Sequence, residues 1–247
     1  MPLLHKLART NLPCSLGSVI AYDILRHYWH ETNGKIDVTG IDFSKVESYV
    51  GSNGAPEFEG AAPYKSAIEY RRYQREAWRH LNRATPSGVK LSKSGVRARW
   101  LVTDLITAGS PLSHAPVLLA SGIRDLELKR KLRELPTCPP DRSRHLNPGH
   151  FTVQLSAEAD RIKDYKILPQ GAYFALTRWT NFYFSNDPVG GPVAPPFGSA
   201  IDDICLTAPT WNPIRSHISY WDAQKTKDAI VRIKSILIED ENTLQNS

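Results

Sequence analysis

Two stretches constrain what this chain can fold into: Trp100 to Leu112 (WLVTDLITAGSPL) and Thr177 to Ser185 (TRWTNFYFS). The first is β-branched and apolar almost throughout and stops at Gly-Ser-Pro; the second ends at Asn186-Asp187-Pro188. A near-continuous run of this kind reads as a strand buried on both faces, as in a parallel sheet. Helical patterns alternate with these strands. Leu16 to Trp29 carries apolar residues at 16, 19, 20, 24 and 28 and opens directly after Ser15. Further helices are predicted over Tyr64 to Arg83, Ala115 to Glu134 and Asp222 to Ile238. The last places Ala229, Ile230, Ile233, Ile236 and Leu237 on one face. A weak strand is expected around Asp203 to Leu206, and loops over Thr32 to Pro63, residues 136 to 172, and Trp211 to Trp221. Alternating strand and helix predict an α/β fold over a single domain, residues 1–247. Residues 32–94 read as a loop and helix insertion, a lid-like excursion. No internal repeat is visible.

Composition supports a globular chain. Of 247 residues, 41% are hydrophobic and 23% charged, which excludes disordered, collagen-like and coiled-coil classes. Apolar stretches fall far short of the roughly 20 residues that span a bilayer. Cys14, Cys138 and Cys205 form neither a disulfide framework nor a zinc-type pair. The start lacks the continuous apolar segment of a signal peptide, and Leu12-Pro13-Cys14 lacks the one a lipoprotein needs. A cytoplasmic location is expected by default. The net charge of +6 is concentrated between Tyr64 and Trp100, where ten Lys and Arg face only Glu69 and Glu76. Such a segment reads first as a solvated helix face, and second as a module for anionic lipid or nucleic acid. No nucleic-acid motif accompanies it, so specific nucleic-acid binding is not expected.

Ser15 is the first candidate for chemistry. A serine on a sharp turn into a helix exposes its hydroxyl, and the helix N-terminus favours a developing oxyanion. The NH of Leu16 would be one oxyanion donor. On its own, S-x-G before a helix reads first as a helix cap and only second as a nucleophile turn. Asp187 in Asn-Asp-Pro has an alternative reading as an ordinary turn residue, and His217 as a loop histidine capping the last helix.

Four segments in order carry a resemblance. SLGSVIAYDIL resembles the nucleophile elbow and helix of serine α/β-hydrolases in a lipase- or esterase-like branch. ITAGSPLSHAPVLLA resembles a later strand and helix of that sheet. RWTNFYFSNDPVGGPV resembles the strand that ends in the triad acid, and RSHISYWD the loop with the catalytic histidine. The resemblance covers roughly residues 12 to 240. It implies a Ser15–His217–Asp187 triad, an acyl-enzyme on Ser15, an ester or related acyl substrate, and no cofactor.

The pattern departs from that family before the serine. Pro13 stands where a glycine is expected, His5 to Leu12 do not form an apolar strand, and Leu3, Leu4 and Leu7 suggest a short helix. The elbow comes at residue 15 rather than after several strands. The expectation is therefore an α/β-hydrolase-like sheet incomplete at its N-terminus, without the loop that supplies a second oxyanion donor. Two further function classes follow: a non-catalytic remnant or partner-dependent subunit, and the basic binding module. A homo-oligomer or a missing N-terminal partner segment would cover exposed sheet edges. Among other candidates, His27 and His30 read as a wet helix end, His114 as a neighbour of the cleft or a structural residue, and Asp104 as satisfying a local hydrogen bond. His145 and His150 have no visible partner.

Overall fold

The two apolar runs form the middle of a parallel sheet. In the computed structural model, the described residues are 10–11, 15–33, 64–83, 100–140, 153–155, 165–168, 170–220, 222 and 226–245. In chain order they form β1 (Thr10–Asn11), α1 (Leu16–Thr32), α2 (Tyr64–Arg83), β2 (Asp104–Ala108), α3 (Ala115–Leu118), α4 (Ile123–Lys131), β3 (Val153–Leu155), β4 (Tyr165–Ile167), β5 (Arg178–Phe184), α5 (Ala194–Phe197), β6 (Asp202–Leu206), α6 (Pro213–His217) and α7 (Lys227–Gln245). Single 3-10 turns precede α3 (Pro111–His114) and β5 (Ala172–Ala175). The sheet order is β1-β2-β5-β6, and every pair is parallel. Asp104 stands opposite Thr10 on one side and Arg178 on the other. The chain is thus α/β, as the alternation of strand and helix predicts.

Side chains alternate across the central strands and supply two cores. One face presents Leu105 and Trp179 to an aromatic cluster of Tyr22, Trp29, Trp100, Tyr173, Phe174 and Phe197. Tyr22 meets Trp179 and Phe197 with ring centroids 5.6 and 5.2 Å apart, and Trp29 stands edge-on to Trp100 at 5.0 Å. The other face presents Ile106, Phe182, Phe184 and Leu206 to Tyr220 and to Ala229 and Ile236 of α7. Ile233 packs against this second core, while the surroundings of Leu237 lie outside the description. No described helix is long and apolar enough to cross a membrane.

Several expectations need correction. The stripe Leu16, Ile20, Ile24 of α1 faces outward, 65%, 53% and 55% exposed. The buried face is Ser18, Ala21, Tyr22, Leu25 and Trp29. Small residues at 18 and 21 allow close approach, and Tyr22 donates to the Pro136 carbonyl at 2.7 Å. The helix expected over Ala115 to Glu134 is two, broken before Gly122, whose φ is +127°. Residues 136 to 172, expected as loop, include the antiparallel pair β3–β4. The loop Trp211 to Trp221 contains α6, started by Pro213 and by Asn212 Oδ1 accepting from the Arg215 NH. Near the elbow, where no strand is expected, Thr10 and Asn11 pair with β2.

The basic helix α2 is not a uniformly solvated face. Arg75 is buried and bonds Asp104. Arg71 donates to the Trp179 carbonyl at 2.6 Å and to Thr180 Oγ1 at 2.8 Å. Its side chain is 14% exposed. The arginines serve as internal struts between helix and sheet. The suggested short helix at Leu3–Leu7, Pro13, Cys14, most of the 32–94 excursion, His145 and His150 lie outside the described residues.

Candidate active site

Parallel strands bring their carboxyl ends to one side, so loops that leave them meet there. Ser15 follows β1, Asp187 follows β5, and His217 ends the short helix that follows β6. Ser15 adopts φ 50°, ψ −130°, a left-handed conformation that a non-glycine residue holds only where its surroundings enforce it. Two backbone bonds do so here. The Ser15 NH donates to the Ala108 carbonyl at the end of β2 (3.0 Å), and its carbonyl accepts from the Ser18 NH (2.9 Å).

The Ser15 hydroxyl makes no capping bond to α1. Its oxygen lies 3.0 Å from His217 Nε2. His217 Nδ1 lies 2.9 Å from both carboxylate oxygens of Asp187. With a carboxylate at Nδ1, that nitrogen carries the proton, and Nε2 is left to accept from the serine. The Asp187 side chain is fully screened from solvent, and His217 keeps 17% exposure. The three expected residues are therefore brought together, and the Ser15 hydroxyl faces His217 rather than capping the helix. The turn reading of Asp187 also holds, since Oδ1 accepts from the Val189 NH at 2.8 Å.

Burial pushes the Asp187 carboxyl up, but the NH of Gly190, His217, the NH of Val189 and the Tyr220 hydroxyl outweigh it and hold the group below its usual value. Leu16 is the first residue of α1, so its NH has no acceptor within the helix and lies at the positive end of the helix dipole.

Three residues of this site carry no sequence signal that singles them out. Tyr220 donates to Asp187 Oδ2 at 2.8 Å. Gly109, φ +56°, turns the chain at the end of β2 where a Cβ would lie 2.5 Å from the Tyr220 ring. Gly190 lets the acid loop lie against that turn, because its Cβ would sit 2.4 Å from Gly109 Cα and 2.7 Å from Asp187 Oδ2. The Gly-Ser-Pro stop and the Gly-Gly pair marked turns, but what the turns approach is not a local property.

The other candidates are elsewhere. His27 is exposed and 3.4 Å from Asp23 in the next turn, His30 is exposed at the end of α1, and His114 is exposed on its 3-10 turn. Asp104 is buried between Arg75 and Arg178, both distant in sequence, and also takes a side-chain bond from its neighbour Thr103, so the expected local bond is only part of its surroundings. Cys138 is buried, and burial pushes its thiol up to about 12, which disfavours a thiolate nucleophile. Comparison with protein-family models, curated proteins and solved structures returned no match.

Proposed function

We propose that this protein is a serine hydrolase that cleaves carboxylic esters or related acyl compounds through an acyl-enzyme, in the manner of the α/β-hydrolases. The observation that carries this reading is the continuous chain from Ser15 Oγ through His217 to Asp187, at 3.0 and 2.9 Å. The strained φ of Ser15 at a strand-to-helix turn supports it independently.

In this reading Ser15 Oγ attacks the acyl carbon while His217 Nε2 takes the hydroxyl proton. Asp187 holds the imidazole orientation and stabilises the imidazolium that forms. The tetrahedral oxyanion accepts from the Leu16 NH. His217 then returns the proton to the leaving oxygen as the carbon–oxygen bond breaks, leaving the acyl group on Ser15. A water molecule, deprotonated by the same nitrogen, attacks the acyl-enzyme and releases the acid. Exposed apolar residues close in sequence to Ser15 and His217 suit an uncharged acyl substrate: Leu16, Ile214 and Ile218 are 65%, 72% and 71% exposed. A cytoplasmic setting belongs to the same reading, which the free thiols of Cys138 and Cys205 suit.

The test is intact mass after treatment with a fluorophosphonate, which reports an activated serine without requiring the natural substrate. One adduct, mapped to Ser15 and absent from Ser15→Ala, is expected. A folded wild-type chain that takes no adduct overturns the reading.

A further inference from the structure

We infer that Tyr220 is a positioning residue of this site, its phenol fixing the Asp187 carboxylate and setting how firmly that carboxylate holds the proton of His217. The inference rests on the triad reading above.

The direction of the phenol proton is decided by its partners. Tyr220 Oη accepts from the Phe184 NH at 2.9 Å and lies 2.8 Å from Asp187 Oδ2. An amide NH can only donate, so the hydroxyl proton goes to the carboxylate. The acid is then held at both oxygens: Oδ1 by the Val189 NH and Oδ2 by Tyr220, with His217 Nδ1 across the pair. The ring is fixed as well. It stacks on Phe184 at 4.4 Å and stands edge-on to His217 at 6.2 Å. Gly109 leaves the space that the ring occupies. Among the described residues, the titratable groups facing this carboxylate are His217, at the end of α6, and Tyr220, three residues beyond it.

Two effects follow from removing the hydroxyl. The carboxylate keeps the Val189 and Gly190 NH groups but loses the phenol on Oδ2, so the imidazole is less well oriented toward Ser15. The carboxylate charge is also less dispersed, so it favours the imidazolium more, and the base becomes available only at higher pH.

The experiment compares the full chain with Tyr220→Phe by the rate of fluorophosphonate labelling at Ser15 across pH. The expected result is a rate about tenfold lower or more, with the acid limb displaced upward by roughly half a unit to one unit. Identical rates and limbs in a folded variant overturn the inference. Wild type that is folded but unlabelled overturns the hydrolase reading instead. Tyr220 is then judged by NMR titration of the His217 ring, whose midpoint rises in Tyr220→Phe if the phenol acts through Asp187. An unmoved midpoint overturns it. Should Tyr220→Phe not fold, 3-fluorotyrosine at position 220 keeps both bonds with a more acidic phenol. It is expected to move the midpoint downward, and an unchanged midpoint counts against the inference.

Discussion

Arg178 Nε donates to Asp104 Oδ1 at 2.8 Å, joining the first residues of two neighbouring parallel strands inside the core. Arg75 from α2 closes the other side of the carboxylate at 3.0 Å. Both guanidiniums and the acid are nearly inaccessible to water. Removing one member of such a cluster leaves buried charge without its partner, which is far more costly than the net worth of the cluster. Asp104→Asn is expected to lower the stability of the fold by about 3–5 kcal/mol. Urea unfolding followed by tryptophan fluorescence checks this, and a loss under about 1 kcal/mol would contradict it.

The same acid predicts the response to low pH. Burial alone would raise Asp104, but Arg178 and Arg75 outweigh it and bring the carboxyl from 3.8 to about 2. A group with a depressed folded value binds its proton more readily in the unfolded chain. Its contribution is therefore complete above about pH 4 and is lost as pH falls toward 2. Asp187, also held low, acts in the same direction. Asp203 acts in the opposite one. Burial pushes it up despite bonds from the Val193 and Ala194 NH groups and from Asn181, so its unfavourable ionisation is relieved by acid. The unfolding free energy of the wild type, from urea titrations, is expected to drop between pH 4 and 2, by about 2 kcal/mol from Asp104. The slope should be shallower in Asp104→Asn.

Ser15 holds φ 50° without being glycine, and strain of this kind is worth about 1–3 kcal/mol. Glycine adopts the conformation freely but loses more chain entropy on folding. Ser15→Gly is expected to be more stable than wild type by about 1 kcal/mol while losing all fluorophosphonate labelling. Parallel denaturation curves of wild type, Ser15→Ala and Ser15→Gly test it, and a less stable glycine variant would show that the conformation is not strained.

Gly190 faces backbone that cannot yield. Its Cβ would meet Gly109 Cα at 2.4 Å, Gly109 C at 2.6 Å and Asp187 Oδ2 at 2.7 Å. Gly190→Ala must push the acid loop away from the end of β2. A loss of about 1–3 kcal/mol is expected from overpacking. Labelling of Ser15 should slow together with it, because the displaced loop carries Asp187. Thermal melts and labelling rates on the same samples decide whether the two losses travel together.

The α/β class was legible in short stretches of sequence. The runs around β2 and β5, their turn stops and the helical periods act over a few residues, where sterics and solvation are local. So β2, β5, β6 and the whole of α2 could be read from it, while β1 and the β3–β4 pair could not, and Asp187 and His217 were singled out only by the resemblance. Which face of a helix turns inward was not local. Leu16, Ile20 and Ile24 had the better apolar stripe, yet Tyr22 and Trp29 found aromatic partners more than 70 residues away in Trp100, Phe174 and Trp179, and that packing chose the other face. Arg71 and Arg75 looked like a solvated surface until Asp104, Trp179 and Thr180 supplied partners inside. Tyr220, Gly109 and Gly190 matter because three loops converge at one end of a parallel sheet. A hydrogen bond or a missing Cβ has meaning only once its neighbour is in place, and those neighbours are set by tertiary packing.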